Sequence, residues 1–207
     1  MNHTPQIKKF YIFDLDDTLR LGVNGKFVRA GKFEYQIPLP GVIRKLQELV
    51  KEGVTIFIAT NQGFPSFGKT SELQVWKNII YFTDIVLSGM VKDVRLSFYH
   101  PDGPVKERYV NKRKPKPDLL LELMTDYEIK KEDTIFVGNA PSDKTAASIA
   151  EIEFIWAYDF FGWNKEDVSL NEPYGYGWKI DRLKALYMIN TELINRLDKF
   201  LELSEKV

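Results

Sequence analysis

The sequence predicts an α/β fold: a Rossmann-like three-layer sandwich with a parallel sheet of about five strands. Short apolar runs alternate with amphipathic segments of helical spacing, which is the pattern of a doubly wound parallel sheet. Polar residues directly follow the first, second and fourth of these runs. Ligands of such sheets bind at the carboxyl ends of the strands. We therefore expect Asp14, Thr60 and Asn139 to meet in one crevice.

Two strands, a small flap and a helix are predicted in the first part of the chain. Residues 9–13 are apolar and aromatic and end abruptly in acids, as a buried strand with a polar carboxyl end does. Residues 19–40 contain three glycines and two prolines, which indicates a loop or small β-flap. Apolar residues recur at helical spacing over residues 41–52, and residues 54–59 form a second apolar run.

The middle of the chain continues the alternation of helices and strands. Residues 71–87 have helical spacing, residues 94–99 alternate like a third strand, and residues 118–127 again have helical spacing. Residues 100–116 between them are polar and basic, which predicts a loop. The last predicted core elements are a strand over residues 134–137, a helix over residues 143–150 and a strand over residues 153–156.

The chain changes character after residue 162, so we predict one α/β domain over residues 1–162 and a C-terminal segment over residues 163–207. Residues 171–178 are rich in Gly, Pro and aromatic residues, which predicts a linker-like loop. Residues 181–205 carry apolar residues at helical spacing, which predicts one long amphipathic helix. That helix either packs on the same domain or forms the seam of a homodimer or a contact with another partner.

The composition excludes several kinds of site. Lys and Arg total 29 and Asp and Glu total 29, so net charge gives no overall attraction to nucleic acid or to an anionic membrane. The absence of cysteine excludes disulfides, thiolate nucleophiles and cysteine-based zinc sites, and two histidines are too few for a His-rich metal site. No apolar run reaches the ~18 residues of a membrane span, and the N-terminus lacks a signal-peptide pattern. We expect a cytoplasmic protein with no membrane partner.

The most informative stretch is Asp14-Leu15-Asp16-Asp17-Thr18, which follows the first predicted strand. Side chains alternate along an extended chain, so Asp14 and Asp16 would face the same crevice. Neighbouring carboxylates repel, and a hard cation such as Mg²⁺ relieves that repulsion in an all-oxygen site that also admits phosphate. One carboxylate can attack phosphorus while the other handles the proton of the leaving oxygen. The alternative is an acidic turn that only ends the strand.

This stretch resembles the first motif of the haloacid dehalogenase superfamily, a hydrophobic strand followed by D-x-D-x-T, which here is written FDLDDT. The resemblance implies that Asp14 is the nucleophile and that Asp16 is the general acid and base. It also implies that Asp14, Asp16 and the Leu15 carbonyl oxygen bind Mg²⁺. Dehalogenase members lack the second acid because a halide leaves without a proton. The presence of Asp16 therefore implies a phosphoester substrate.

Thr60 and Asn61 resemble the second motif of that superfamily. The resemblance implies that Thr60 contributes to catalysis and that Asn61 binds substrate. The physical reason is that a hydroxyl and backbone N–H groups at a strand end can bind a transferring phosphoryl oxygen. A turn-initiating Asn is the alternative interpretation of this pair.

Residues 113–117 are RKPKP and resemble the third motif, in the form found in histidinol-phosphate and heptose-bisphosphate phosphatases. That subgroup places its catalytic lysine directly before the first proline, which implies Lys114, with Lys116 as the fallback. Arg113 and Lys116 would contact substrate, since the planar guanidinium fork of Arg113 suits two phosphate oxygens. A solvated basic loop is the alternative.

Residues 138–143 are GNAPSD where the fourth motif, G-D-x-x-x-D, is expected. The resemblance implies that Asn139 and Asp143 bind the metal. Asn139 replaces the usual first acid, and its amide oxygen can coordinate Mg²⁺ but brings no charge. Three outcomes stay open: Asp143 carries more of the metal, the metal is bound more weakly, or turnover is lost.

The resemblance covers residues 9–162 and implies a capless, subclass III member. Asp14 and Thr60 are 46 residues apart, which leaves room for a flap but not for a large cap domain. Thr60 and Lys114 are also too close in sequence for a second cap, so we expect an open crevice. The zinc loop of the subgroup has no counterpart, because Tyr99-His100-Pro101 stands there without cysteine.

The sequence therefore predicts a Mg²⁺-dependent phosphomonoester hydrolase that forms an aspartyl-phosphate intermediate on a small phosphorylated metabolite. A polynucleotide 3′-phosphatase is the alternative enzyme. Asp159-Phe160-Phe161 is similar to an aromatic segment of those enzymes, and the basic residues within 106–116 could follow a nucleic-acid backbone. Zero net charge disfavours that alternative. A third hypothesis is a phosphate-binding regulatory protein that has lost turnover through Asn139.

Overall fold

The computed structural model describes residues 8–21, 36–163, 168–171 and 175–178. Its centre is a sheet of five parallel strands. The strands are β1 (Phe10–Phe13), β2 (Thr55–Asn61), β3 (Val91–Ser97), β4 (Thr134–Gly138) and β5 (Glu153–Trp156). Their order is β3-β2-β1-β4-β5, so the direction of winding reverses beside β1. Ligands of doubly wound sheets bind at this position.

Helices cover both faces of the sheet. They are α1 (Val42–Lys51), α2 (Glu72–Ile80), α3 (Asp118–Asp126), α4 (Pro141–Ala150) and α5 (Ala157–Phe161), and α2 continues as a π-helix over Tyr81–Val86. Neighbouring residues of β1 point to opposite faces, so Phe13 packs with Leu46 of α1 while Ile12 packs with Leu120 of α3 in a second core. The predicted three-layer α/β class is confirmed.

The largest differences in element boundaries from the sequence prediction occur in three places. β2 runs to Asn61, so Thr60 is part of the strand instead of following it. β3 occupies Val91–Ser97, earlier than the predicted strand over residues 94–99. α4 begins at Pro141 rather than at residue 143, because proline lacks an N–H and is well accommodated in the first helical turn. The short helix α5 was not predicted.

The predicted loop over residues 171–178 is wrong in part. Val168–Asn171 and Gly175–Trp178 pair as antiparallel strands β6 and β7. The Gly and Pro content of this segment indicated a loop, whereas the alternation of Gly with aromatic residues in 175–178 has the period of two that suits a strand. The predicted long helix over residues 181–205, and with it the homodimer seam, lies outside the described residues.

The base of the predicted flap is an antiparallel pairing. Leu21 donates its backbone N–H to Ile37 O at 2.8 Å, and Leu39 donates to Leu19 O at 3.0 Å. Residues 22–35 between these ends lie outside the described residues. Within the part of the chain that is described, no helix is long and apolar enough to cross a bilayer.

Candidate active site

Polar residues at the carboxyl ends of β1, β2 and β4 line one cleft of about 330 Å³. Eight of the ten predicted site residues line it: Asp14, Asp16, Thr60, Asn61, Arg113, Lys114, Asn139 and Asp143. Leu15 and Lys116 do not line it, and Asp17, Ala140 and Ser142 complete the lining. The carboxyl ends of these three strands thus bring the first, second and fourth motifs together, as expected from the sequence. The loop after β3 adds the third motif.

The Lys114 ammonium lies between two carboxylates at the floor of the cleft. Its Nζ is 2.6 Å from Asp14 Oδ1 and 2.7 Å from Asp143 Oδ1, and it donates to Ala59 O at 2.7 Å. These three contacts use all three N–H groups of the ammonium. Lys114 is only 2% exposed. We call Lys114, Asp14 and Asp143 the lysine cluster.

Lys116, the alternative lysine of the RKPKP segment, lies at the surface. Its Nζ donates to the Asn111 carbonyl oxygen at 3.0 Å. The Lys114–Pro115 peptide bond between the two lysines is cis. The structure thus brings Lys114, and not Lys116, to the acids of the first and fourth motifs.

Asn61 fixes the backbone that carries Lys114. Its Oδ1 accepts from Lys114 N at 2.9 Å, and its Nδ2 donates to Lys114 O at 3.1 Å. The sequence suggested a substrate contact for Asn61, and the structure adds this positioning role. No local pattern could reveal it, because the partner is 53 residues away.

Burial and ion pairing set the charges of the lysine cluster. Burial raises the pKa of Asp14 to about 7, an effect that Lys114 opposes and the Asp143 carboxylate reinforces. Burial lowers the pKa of Lys114, but Asp14 and Asp143 more than offset it, so that this pKa lies above its ordinary value. The ammonium is therefore charged at neutral pH, and two acids compete for one cation. A divalent metal ion would relieve that excess of negative charge.

Asp143 is held in place by its neighbours on the turn before α4. Its Oδ2 accepts the Ala140 backbone N–H at 2.9 Å. A Cβ atom at Gly138 would lie 2.6 Å from the Asp143 carboxylate. The turn therefore needs glycine at position 138 because the carboxylate approaches the backbone so closely.

Asp16 lies at the more open side of the cleft, and two donors hold its carboxylate. Arg20 donates Nε–H to Oδ1 at 2.8 Å, and Gln62 donates Nε2–H to Oδ2 at 2.7 Å. The Asp16 side chain is 36% exposed, whereas the Arg20 side chain is 2% exposed. Neither donor was predicted from the sequence. The available signal was a lone arginine between two leucines, Leu19 and Leu21, next to the first motif.

Leu15 does not fit as a metal ligand. Its carbonyl oxygen accepts backbone N–H groups from Leu19 at 2.9 Å and from Arg20 at 3.1 Å. A carbonyl oxygen has two lone pairs, so both are used within the turn after β1. We therefore leave Leu15 out of the candidate metal site.

The remaining oxygen donors fit a hard cation. The carboxylates of Asp14 and Asp143 and the amide of Asn139 line the same cleft, and Thr18 donates to Asn139 Oδ1 at 3.4 Å. Among the described residues, no group of three or more His, Cys, Asp or Glu side chains is arranged to hold a metal by itself. Mg²⁺ in proteins takes one or two carboxylates together with waters and substrate phosphate oxygens, and Asp14 and Asp143 supply two carboxylates in this cleft.

The chain is similar to known phosphatases over most of its length. The family model described as polynucleotide kinase 3 phosphatase matches residues 9–164. The D-glycero-beta-D-manno-heptose-1,7-bisphosphate 7-phosphatase of Rhodopseudomonas palustris is 28% identical over 118 residues, which cover 55% of this chain and 66% of that protein. The enzyme of the same name from Pasteurella multocida is 28% identical over 153 residues, which cover 71% of this chain and 79% of that protein. The match to the first relative thus spans just under two thirds of its length.

The same fold occurs in a solved structure. It is that of D,D-heptose 1,7-bisphosphate phosphatase from B. bronchiseptica, complexed with magnesium and phosphate. The TM-score is 0.60 at 22% sequence identity, and the alignment covers 70% of this chain and 78% of that one. At this identity the likeness establishes the fold.

Proposed function

Because the chain belongs to the polynucleotide kinase 3 phosphatase family, a phosphatase family of the haloacid dehalogenase fold, we propose that it hydrolyses phosphomonoesters with Mg²⁺ through an aspartyl-phosphate on Asp14. One observation carries the proposal. The buried Lys114 ammonium contacts Asp14 and Asp143 at the floor of a cleft whose rim carries a second, more exposed acid, Asp16. This arrangement supplies a nucleophile, a charge for the phosphoryl group and a separate group for the proton.

The proposed reaction has two steps. Asp14 attacks phosphorus, the bond from phosphorus to the ester oxygen breaks, and Asp16 donates the proton that the leaving oxygen needs. Water then attacks the phosphorus of the aspartyl-phosphate, Asp16 takes its proton, and Asp14 is released with inorganic phosphate. Lys114 and the Thr60 hydroxyl would stabilise the charge on the phosphoryl oxygens during both steps. Mg²⁺ held by Asp14, Asn139 and Asp143 would neutralise phosphate charge.

We propose a small phosphorylated metabolite as the substrate. The relatives named as heptose-bisphosphate phosphatases support this class. Two of the basic residues within 106–116 that could contact a nucleic-acid backbone are already engaged within the protein. Lys112 is ion-paired with Glu122, and Lys114 is buried in the lysine cluster.

A polynucleotide 3′-phosphatase is the second candidate, because the matching family model carries that description. A phosphate-binding protein without turnover is the third, because Asn139 stands where an acid is usual. The three candidates differ in a single assay.

That assay is phosphate release, at saturating Mg²⁺, from p-nitrophenyl phosphate, sugar mono- and bisphosphates, and 3′-phosphorylated oligonucleotides. We expect turnover that disappears on chelation of the metal, with the highest kcat/KM among the sugar phosphates. A preference for the oligonucleotide would replace the metabolite with the second candidate. Phosphate binding without turnover of any compound would replace the enzyme with the third. An Asp14→Asn preparation serves as the blank for contaminating phosphatases.

A further inference from the structure

Arg20 is a buried charged side chain, and its partners connect the cleft to the backbone pairing at the base of the predicted flap. It is 1% exposed, and its Cζ lies 5.7 Å from the centre of the Phe82 ring. Its Nε donates to Asp16 Oδ1 at 2.8 Å, and its Nη1 donates to Gln36 Oε1. We call Asp16, Arg20, Gln62 and Gln36 the Asp16 network.

The far end of this network is anchored in the protein interior. Gln36, at the base of the flap, is 8% exposed and donates Nε2–H to the Asn78 carbonyl oxygen near the end of α2 at 2.7 Å. The guanidinium is therefore fixed at its Nη1 end, and its Nε–H is presented to Asp16 in one orientation. The planar fork of arginine allows this double engagement, which the single ammonium of lysine does not.

The core alone does not explain a buried arginine here. A buried ion pair is costly to desolvate, and replacing one with well-packed apolar residues is often neutral or stabilising. The Arg20 guanidinium lies over the buried Phe82 ring, and an apolar side chain in its place would not carry that cost. What Arg20 does that an apolar residue cannot do is hold the Asp16 carboxylate.

Orientation matters for Asp16 because its side chain is 36% exposed and lines the open cleft. Without Arg20, the hydrogen bond from Gln62 would be the side-chain bond that remains on that carboxylate among the described residues, and the carboxylate could then rotate about its side-chain torsions. A general acid must lie within hydrogen-bond reach of the oxygen that it protonates. Even a small misplacement of a reacting group lowers the reaction rate by a large factor.

We propose that Arg20 is a positioning residue that acts through Asp16: anchored by Gln36 at the base of the flap, it fixes the carboxylate that transfers the proton. This inference rests on the proposed phosphatase reaction. It predicts a loss that depends on the leaving group, because an alkoxide must be protonated as it leaves whereas p-nitrophenolate leaves without a proton.

The test measures the first turnover, as release of the alcohol or of p-nitrophenolate from an alkyl phosphate and from p-nitrophenyl phosphate. In Arg20→Met we expect the rate with the alkyl phosphate to fall by about 10- to 100-fold, within the range of general acid catalysis, and the rate with p-nitrophenyl phosphate to change less than about threefold. Gln36→Met, which removes only the anchor, should show a smaller loss of the same selectivity. It also keeps the test available if Arg20→Met does not fold.

A double-mutant cycle separates positioning from general damage. If Arg20 acts through Asp16, adding Arg20→Met to Asp16→Asn should cost no further rate, since residues in one network are not additive. Thr83→Val is the matched control: it removes a buried hydroxyl that bonds to Ile79 O, beside Phe82, and should affect both substrates equally.

Equal losses with both substrates in Arg20→Met, or additive losses in the cycle, would overturn the positioning role while leaving the phosphatase intact. A wild-type protein that releases neither leaving group would instead overturn the proposed function itself, and this inference with it. Thermal unfolding of each variant shows whether it is folded under the assay conditions.

Discussion

The two sides of the cleft hold their acids in different ways. In the lysine cluster the side chains of Lys114, Asp14 and Asp143 are 1%, 10% and 2% exposed. In the Asp16 network the acid is 36% exposed, whereas the side chain of its arginine is 2% exposed. The first side is suited to holding phosphoryl charge in a dry environment, where fixed charges act strongly. The second reaches the leaving group and water, as proton transfer requires.

This difference predicts how mutations on each side should behave. Removing one partner of a buried ion pair costs about 3–5 kcal/mol of stability, because it leaves an uncompensated charge. Pairs at the surface contribute about 0–1 kcal/mol. Loss of Lys114 should therefore reduce both folding stability and activity, because it leaves Asp14 and Asp143 without their cation. Changes at Asp16 should reduce activity and should cost less stability, because its side chain is 36% exposed, although they leave the buried Arg20 guanidinium without its carboxylate.

The largest effect is expected from Asp14→Asn. An amide is a poor nucleophile, so turnover should be lost, by about 10⁴-fold or more on the scale of losses seen when a nucleophile is removed. The Lys114–Asp143 ion pair remains, so the fold should persist. Phosphate release and far-UV circular dichroism check both claims. A variant that is verified free of deamidation and keeps the wild-type rate would exclude Asp14 as the nucleophile.

Lys114→Ala and Lys116→Ala form a matched pair that sharpens the contrast between buried and exposed charge. We expect Lys114→Ala to reduce kcat/KM by about 10²–10³-fold, on the scale of losing one preorganised electrostatic group, and to lower the melting temperature. Lys116→Ala removes an exposed contact to a loop carbonyl and should stay within about twofold of wild type. The reverse ranking in kcat/KM would assign the third motif to Lys116.

Gly138→Ala tests whether the lysine cluster depends on the close approach of Asp143. The added Cβ would lie 2.6 Å from that carboxylate, so Asp143 must shift from Lys114. Overpacking of this kind typically costs about 1–3 kcal/mol, and we expect activity to fall by about tenfold as the cluster loosens. Gly53→Ala, at a position with nothing within 4 Å of an added Cβ, controls for glycine substitution, although its positive φ adds its own strain. An unchanged rate in Gly138→Ala would mean that Asp143 keeps its position by another route.

The parts of the fold that could be predicted from sequence are those governed by local periodicity. β1 and β4 are apolar runs with abrupt polar ends, and the rule that strand ends converge then placed Asp14 and Asn139 in one cleft. β6 and β7 were missed because Gly and Pro content indicates loops more strongly than a four-residue alternation indicates a strand.

The parts of the site that could not be predicted depend on contacts between distant side chains. Gln62 bonds to Asp16 across 46 residues, and Asn61 bonds to Lys114 across 53. Neither partner has a local signature. Leu15 was assigned to the metal because the resemblance supplies the motif but not the direction of its carbonyl groups, which the turn after β1 decides.

The smallest expected effect concerns Asn139, at the edge of the lysine cluster. Asn139→Asp should tighten Mg²⁺ binding, because the cleft gains a negative charge beside Asp14 and Asp143, and ligand charge sets the affinity for hard cations. The added repulsion among the acids without metal acts in the same direction, since the cation relieves it. Thr18 donates to the Asn139 side-chain oxygen, and a carboxylate can accept that bond equally well.

The measurement is the Mg²⁺ concentration that gives half-maximal activity. We expect it to fall by about tenfold, which is equivalent to ~1.4 kcal/mol of Mg²⁺ binding free energy. The rate at saturating metal need not rise, because a further carboxylate near the transferring phosphate also repels it. Ser142→Asp places the same charge elsewhere in the cleft lining, and it should lower that concentration less. If both variants lowered the half-maximal Mg²⁺ concentration equally, the added carboxylate would act only by long-range attraction to the metal, and Asn139 would not be a ligand. No shift in either would leave Asp14 and Asp143 as the metal's protein ligands.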